Sequence, residues 1–181
     1  MATQSYTVVG AGAVGLLYGA TGTLNMADLR VVLAVDDRAP LMTIASLFLL
    51  AFAMKAASLP LHFWLPASYH TPKVIVSALF AGLLTKVGVY SLMRVLVMLF
   101  GVGASDLMPL IGVLGVATAV LGALGALAQD ELKRMAAFLV ISGIGVMLIG
   151  IGLGTADGLS GAIVYAVHSI LAMTGLFLIL G

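Results

Sequence analysis

Lys55, Lys86 and His168 are the residues of this chain whose type and setting could move protons. Lys86 lies in the apolar run Val74–Phe100, with 12 residues before it and 14 after. A lysine at that depth in a bilayer costs about 2.5–3.5 kcal/mol on insertion scales and must face a polar interior. Snorkelling, which serves lysines at helix ends, is a poor escape from the centre. A buried amine can exchange protons near neutrality. Gly82 and Tyr90 flank Lys86 at i−4 and i+4 and offer space and a hydroxyl on the same face. The bland alternative is a lysine permanently paired with a carboxylate. Lys55 lies just before a helix break, where the carbonyl end of a half-helix favours a cation. Snorkelling from a short helix is its competing explanation. His168 is the seventh residue of the last apolar run, and histidine titrates near neutral pH. An interfacial histidine bonded to backbone is the other possibility there.

The elements that hold these residues are membrane helices. The chain has 181 residues, 62% hydrophobic and 8% charged, against about 25% charged in ordinary globular domains. Its mean hydropathy is +1.24. A net charge of +1 leaves no basic face for nucleic acid. The lack of cysteine excludes disulfides and thiolate ligands. With no Asp or Glu near the histidines, no metal site is expected, and no cofactor is called for. No Lys or Arg precedes Arg30, so no signal peptide is expected. The apolar ending LAMTGLFLILG reads as a truncated C-terminus, and the N-terminus is suspect too.

About 20 apolar residues cross a bilayer core. The fold class expected is all-α integral membrane, with about six transmembrane helices, one of them broken. The candidate runs are Tyr6–Leu24, Leu41–Ser58, Val74–Phe100, Leu107–Ala128, Met135–Gly154 and Ala162–Gly181. The second continues past Pro60 towards Tyr69, and Asn25–Pro40 reads as a polar connector. One straight helix from Leu41 to Tyr69 would be roughly 43 Å long, against a core of about 30 Å. Pro60 and Pro66 each remove a backbone donor. The helix therefore ends near Ala57, and a half-helix follows around Phe63–Tyr69. Irregular backbone at this depth needs protein or water around it, and in transporters it marks ion sites. Pro60, His62, Trp64, Pro66 and His70 form this break and the expected mouth of the pathway. Small residues at four-residue spacing, Gly15/Gly19, Ala78/Gly82 and Gly150/Gly154, are candidate helix contacts.

The opening YTVVGAGAVG imitates a dinucleotide-binding turn. No βαβ pattern follows, so its glycines are read as part of a membrane helix. Asp130, Glu131, Lys133 and Arg134 form a solvated turn whose cationic pair favours the cytoplasmic side. No Asp or Glu lies inside any of the six apolar runs. The acidic side of a proton relay is therefore expected from another part of the chain or from a different polypeptide.

The run PLHFWLPASYHTPKVIVSALFAGLLTKVGVYSLMR closely resembles the signature of the proton-translocating antiporter-like subunits. That superfamily includes membrane subunits of NADH–quinone oxidoreductase and the large subunits of Mrp-type monovalent cation/proton antiporters. AQDELKRMAAFLVISGIGVMLIGIG and the His168-bearing run are similar to its following block, and FWLPASYHTP and LLYGATGTLNMADL look most like the D-type Mrp subunits. The resemblance implies two inverted repeats within a longer chain, residues 1–100 ending the first and 107–181 starting the second. It implies proton-path roles for Lys55, Lys86 and His168, and an upstream glutamate not present here. It also implies a bacterial inner-membrane location, other membrane subunits of a complex as partners, and protons with sodium or potassium ions as cargo. Gly143 departs from a position where some relatives carry a polar residue or histidine, and Met173 from one where some carry a lysine. A redox-driven proton pump and a non-transporting scaffold are the rival readings.

Overall fold

The computed structural model describes residues 2–35, 41–69, 72–101 and 106–180, and every regular element among them is helical. In chain order these are α1 (Ala2–Thr21), α2 (Met26–Val35), α3 (Leu41–Ala56), α4 (Trp64–Tyr69), α5 (Val74–Phe100), α6 (Met108–Leu127), α7 (Leu132–Gly152) and α8 (Ala156–Ile179). The last four are long and apolar enough to cross a membrane, whereas the apolar helices Val8–Thr21 and Leu41–Ala56 are shorter. The dinucleotide-like opening is helix throughout, with no strand to carry a phosphate-binding turn.

The polar connector contains a helix that composition concealed. Asn25 Oδ1 accepts from Ala27 N at 3.0 Å and starts α2, whose Asp28 suits the first turn. Leu29 is buried and anchors the helix to the bundle.

In lipid, apolar side chains gain little by leaving their surroundings, so helices associate through close packing. The tightest pair is α6 with α7, joined by a short turn and therefore antiparallel. A Cβ at Gly115 would lie 2.7 Å from Ile149 N, and one at Gly122 2.5 Å from Ser142 N. A Cβ at Gly145 would strike the Ala119 backbone, and one at Gly152 the Gly112 backbone. Ser142 Oγ donates to Ala119 O at 3.0 Å across the same seam. Of the expected contact pairs, Gly82 packs on Thr174, and Gly150 on Gly158 and Ala162. Among the described residues nothing lies within 4 Å of a Cβ built at Gly15 or Gly19, and Gly154 serves at φ +63° to end α7. The periodicity of small residues was right in kind, but the main seam lies elsewhere because glycine spacing alone does not identify its partner helix.

α7 is the most enclosed helix and supplies Ile141, Ile144, Met147, Leu148 and Ile151 to the core. α3 and α5 run antiparallel against each other, with Phe48 6.2 Å from Phe100 at one end. At the other end Gly88 meets Ala56, where a Cβ would lie 2.7 Å from the Ala56 nitrogen. Only glycine lets α5 approach the broken end of α3 so closely.

Candidate functional site

α3 ends as the prolines require, through a specific device. Ser58 N donates to Ala53 O at 3.0 Å and Ala57 N to Met54 O at 3.2 Å, the two bonds of a Schellman cap. Its left-handed position, usually glycine, is Ala57 at φ +59°. A residue with a Cβ costs roughly 1–2 kcal/mol there, so surrounding contacts must hold it. Trp64 Nε1 donates to Met54 O at 3.0 Å and draws α4 back against the end of α3. Thr118, fully buried on α6, accepts from Leu59 N at 3.0 Å while donating to Leu114 O at 2.6 Å. One hydroxyl thus satisfies backbone that the break leaves open, as irregular structure inside a membrane protein demands.

Thr118→Val keeps the shape and removes that acceptor. The expected result is a loss of about 1–3 kcal/mol, the cost of an unsatisfied buried N–H. A lowered melting temperature of the detergent-solubilised full-length protein reads it out; an unchanged one would show that Leu59 finds another partner.

Lys86 is 6% exposed, buried as its central position required. It follows a π-helical turn, Phe80–Leu84, and its Nζ donates to Ala81 O at 2.6 Å, five residues back. A second π-helical stretch, Met93–Phe100, closes the same helix. Such turns occur disproportionately at functional sites. Among the described residues Lys86 forms no ion pair. A cavity of about 300 Å³ opens beside it between α5 and α8, lined by Leu83, Tyr90, Met93, Ile163 and Ile170 among others. Tyr90 shares that cavity, as the i+4 spacing anticipated, whereas Gly82 is pressed onto Thr174 of α8.

Lys55 sits half-buried in the last turn of α3. The Ala56–Gly88 contact is one residue from Lys55 and two from Lys86, so it brings the helices of both lysines together. His168 is not brought to them. α8 starts at Ala156, earlier than its composition indicated, so His168 is near the middle of a 24-residue helix rather than near its end. It is exposed on the outer face, with its ring 6.2 Å from Tyr165. Pro60 is exposed, and His62 and Pro66 line a second cavity. His70 lies outside the described residues.

Buried hydroxyls join the site without having been expected from the sequence. Tyr69 is fully buried, and its Oη donates to Phe80 O at 2.9 Å, within the π-turn. The Thr85 hydroxyl, also fully buried, lies beside Tyr69 without a well-formed hydrogen bond. Ser169 is 2% exposed and has no hydrogen-bond partner among the described residues; it lies close to where a side chain on Gly143 would reach, as does the Tyr165 hydroxyl. A hydroxyl at an enclosed position inside an apolar run was the available signal. It is weaker than a charge, because Ser and Thr can bond their own helix.

The profile of a family described as "NADH:quinone oxidoreductase/Mrp antiporter, TM" matches residues 7–181. The D subunit of the Na(+)/H(+) antiporter of Alkalihalophilus pseudofirmus is 43% identical over 169 residues, and its Bacillus subtilis counterpart 40%. Each alignment covers 93% of this chain and 34% of the relative, so the chain spans about a third of their length. Among solved structures, a chain of the Mrp complex from a Dietzia species superposes with a TM-score of 0.86 at 31% identity, over 97% of this chain and 32% of that one. A chain of respiratory complex I from Thermus thermophilus gives 0.86 at 28%, over 98% and 38%. With nearly its whole length matched, the chain belongs to the NADH:quinone oxidoreductase/Mrp antiporter transmembrane family.

Proposed function

We propose that this chain is part of a membrane subunit of a multisubunit sodium or potassium/proton antiporter. The observation that carries this is Lys86, an amine buried at the centre of a membrane-length helix, beside the broken end of α3. The names of the relatives at 40–43% identity supply the cation exchange. Lys55 and Lys86 pass protons through bound water, and His168 carries them onward towards a helix packed on the outer face of α8. Pro60, His62, Trp64, Pro66 and His70 shape the break and the mouth of the route. A unit charge about 10 Å away, at an effective dielectric near 20, alters a site's energy by roughly 1.7 kcal/mol. That is enough for a proton or cation at one station to change occupancy at the next about tenfold.

In this reading α1 and α3 also cross, giving about six passes in an inverted-repeat bundle. Residues 1–100 close one repeat and 107–181 open the next. The subunit sits in a bacterial inner membrane among other membrane subunits and is not itself an enzyme.

The test uses everted vesicles holding the complete complex. Adding sodium or potassium should collapse a preformed proton gradient, and deleting this subunit should abolish the response. A second reading, a redox-driven pump, is favoured by the complex I superposition. It predicts the opposite pattern: proton uptake driven by NADH and indifferent to added cation.

A further inference from the structure

A second cavity, of about 360 Å³, lies where the loop between α3 and α4 meets the α6–α7 turn. Its lining is His62, Phe63, Pro66, Ala67, Gln129, Arg134 and Phe138. His62 and Pro66, which shape the mouth of the proposed proton route, form one side of it, and the rest of its lining has no part in that route.

Among the described residues its polar lining is a histidine, an amide and a guanidinium, with the Glu131 carboxylate against the guanidinium. His62 Nδ1 is buried with no hydrogen-bond partner among the described residues, and the histidine ring lines the wall. Arg134 is held through Nε by Glu131 at 3.3 Å. Both side chains are about half exposed, so that pair orients the guanidinium at little energetic gain. Gln129 is anchored through Nε2 to Gly125 O at 3.3 Å. The remaining wall is apolar, with Phe63 74% exposed and Phe138 half-buried.

Position selects the ligand. α6 ends at Leu127 and α7 begins at Leu132, so the cavity lies at the ends of two membrane-length helices, where acyl chains give way to headgroups. A free anion would use the cationic wall and leave the aromatic one idle. A lipid uses both, and basic pockets between transmembrane helices hold anionic headgroups.

We propose that this cavity binds an anionic phospholipid, its phosphate against Arg134, Gln129 and His62 and an acyl chain along Phe63 and Phe138. The site ties the broken-helix loop to the α6–α7 turn through a lipid. The inference stands independently of the antiport reading.

The test takes the full-length protein in its intact complex, delipidated in neutral detergent. Its melting temperature is followed while micelles containing phosphatidylglycerol, micelles containing phosphatidylcholine, or inorganic phosphate are added. Phosphatidylglycerol should stabilise the wild type at the lowest concentration. Arg134→Gln should weaken that response about fivefold, the effect of one basic residue at a membrane surface. Should Arg134→Gln fail to assemble, Gln129→Leu at the end of α6 carries the same test with a smaller loss. Equal responses to both lipids, or an unchanged response in the variants, would overturn the site. Stabilisation by inorganic phosphate alone would overturn the lipid assignment.

Discussion

Lys86→Arg in the full-length protein, within its complete complex, is expected to stop cation-driven proton flux as fully as Lys86→Ala. Both rates should fall roughly 10²-fold or more, the scale for removing a positioned proton-transfer group. The two variants separate explanations that either alone would confound. Arginine keeps a permanent positive charge but cannot release it in a protein. If Lys86 served only as a fixed cation, arginine would preserve flux; if it carries protons, arginine fails. Space is not the obstacle, because a cavity of about 300 Å³ lies alongside. Alanine tests the other side. It removes an ammonium whose membrane burial costs about 2.5–3.5 kcal/mol. Assembly and melting temperature should therefore hold or improve while transport disappears. Wild-type flux in a well-assembled Lys86→Arg complex would sink the proton-carrier role.

The largest structural effect is expected from Gly145→Leu. Any Cβ at this position strikes the Ala119 backbone and Gly115 O, and a backbone atom cannot swing aside as a side chain can. Overpacking typically costs about 1–3 kcal/mol when side chains can adjust. Here a whole helix must move, which also strains the Ser142–Ala119 hydrogen bond and the Gly122 and Gly152 contacts. The solubilised protein should lose most of its monodisperse fraction in size-exclusion chromatography. Gly145→Ala should show a partial loss. A Gly145→Leu protein as monodisperse as wild type would mean that α6 and α7 are not locked by this seam.

How much of this was legible in the residues depended on the physics behind each signal. The desolvation cost that made Lys86 conspicuous acts on one residue, and its burial followed. Pro60 and Pro66 act through the backbone, so the end of α3 near Ala57 was readable to within a residue. The Schellman bonds and the αL alanine were not, because alanine is a strong helix former and its positive φ is imposed by its neighbours. α2 was hidden because flanking charges masked a short apolar run, MADLRVVLAV. The place of His168 was misjudged because ADGLSG looks like a loop, yet Thr155 caps it by accepting from Gly158 N at 3.1 Å, and the helix starts there. The π-turns were beyond reach, since an i→i+5 pattern has no residue preference comparable to proline or glycine.

The π-turn at Phe80–Leu84 also changes which kind of mutation can be informative. A π-turn winds more residues into one turn than an α-turn does, and side chains beyond it are offset accordingly. Substitutions anywhere in FAGLL leave that count untouched. If these five residues wound as an α-helix of unchanged length, one half of α5 would turn against the other by nearly 100°, the rotation per residue at 3.6 residues per turn, whereas deleting one residue would remove most of that turn. In that unbulged helix of full length Lys86 and Gly88 would no longer share a register with Ser77 and Ala78. The extra residue in this turn therefore sets where the lysine points, and a one-codon deletion within FAGLL should shorten α5 while leaving its two halves in register.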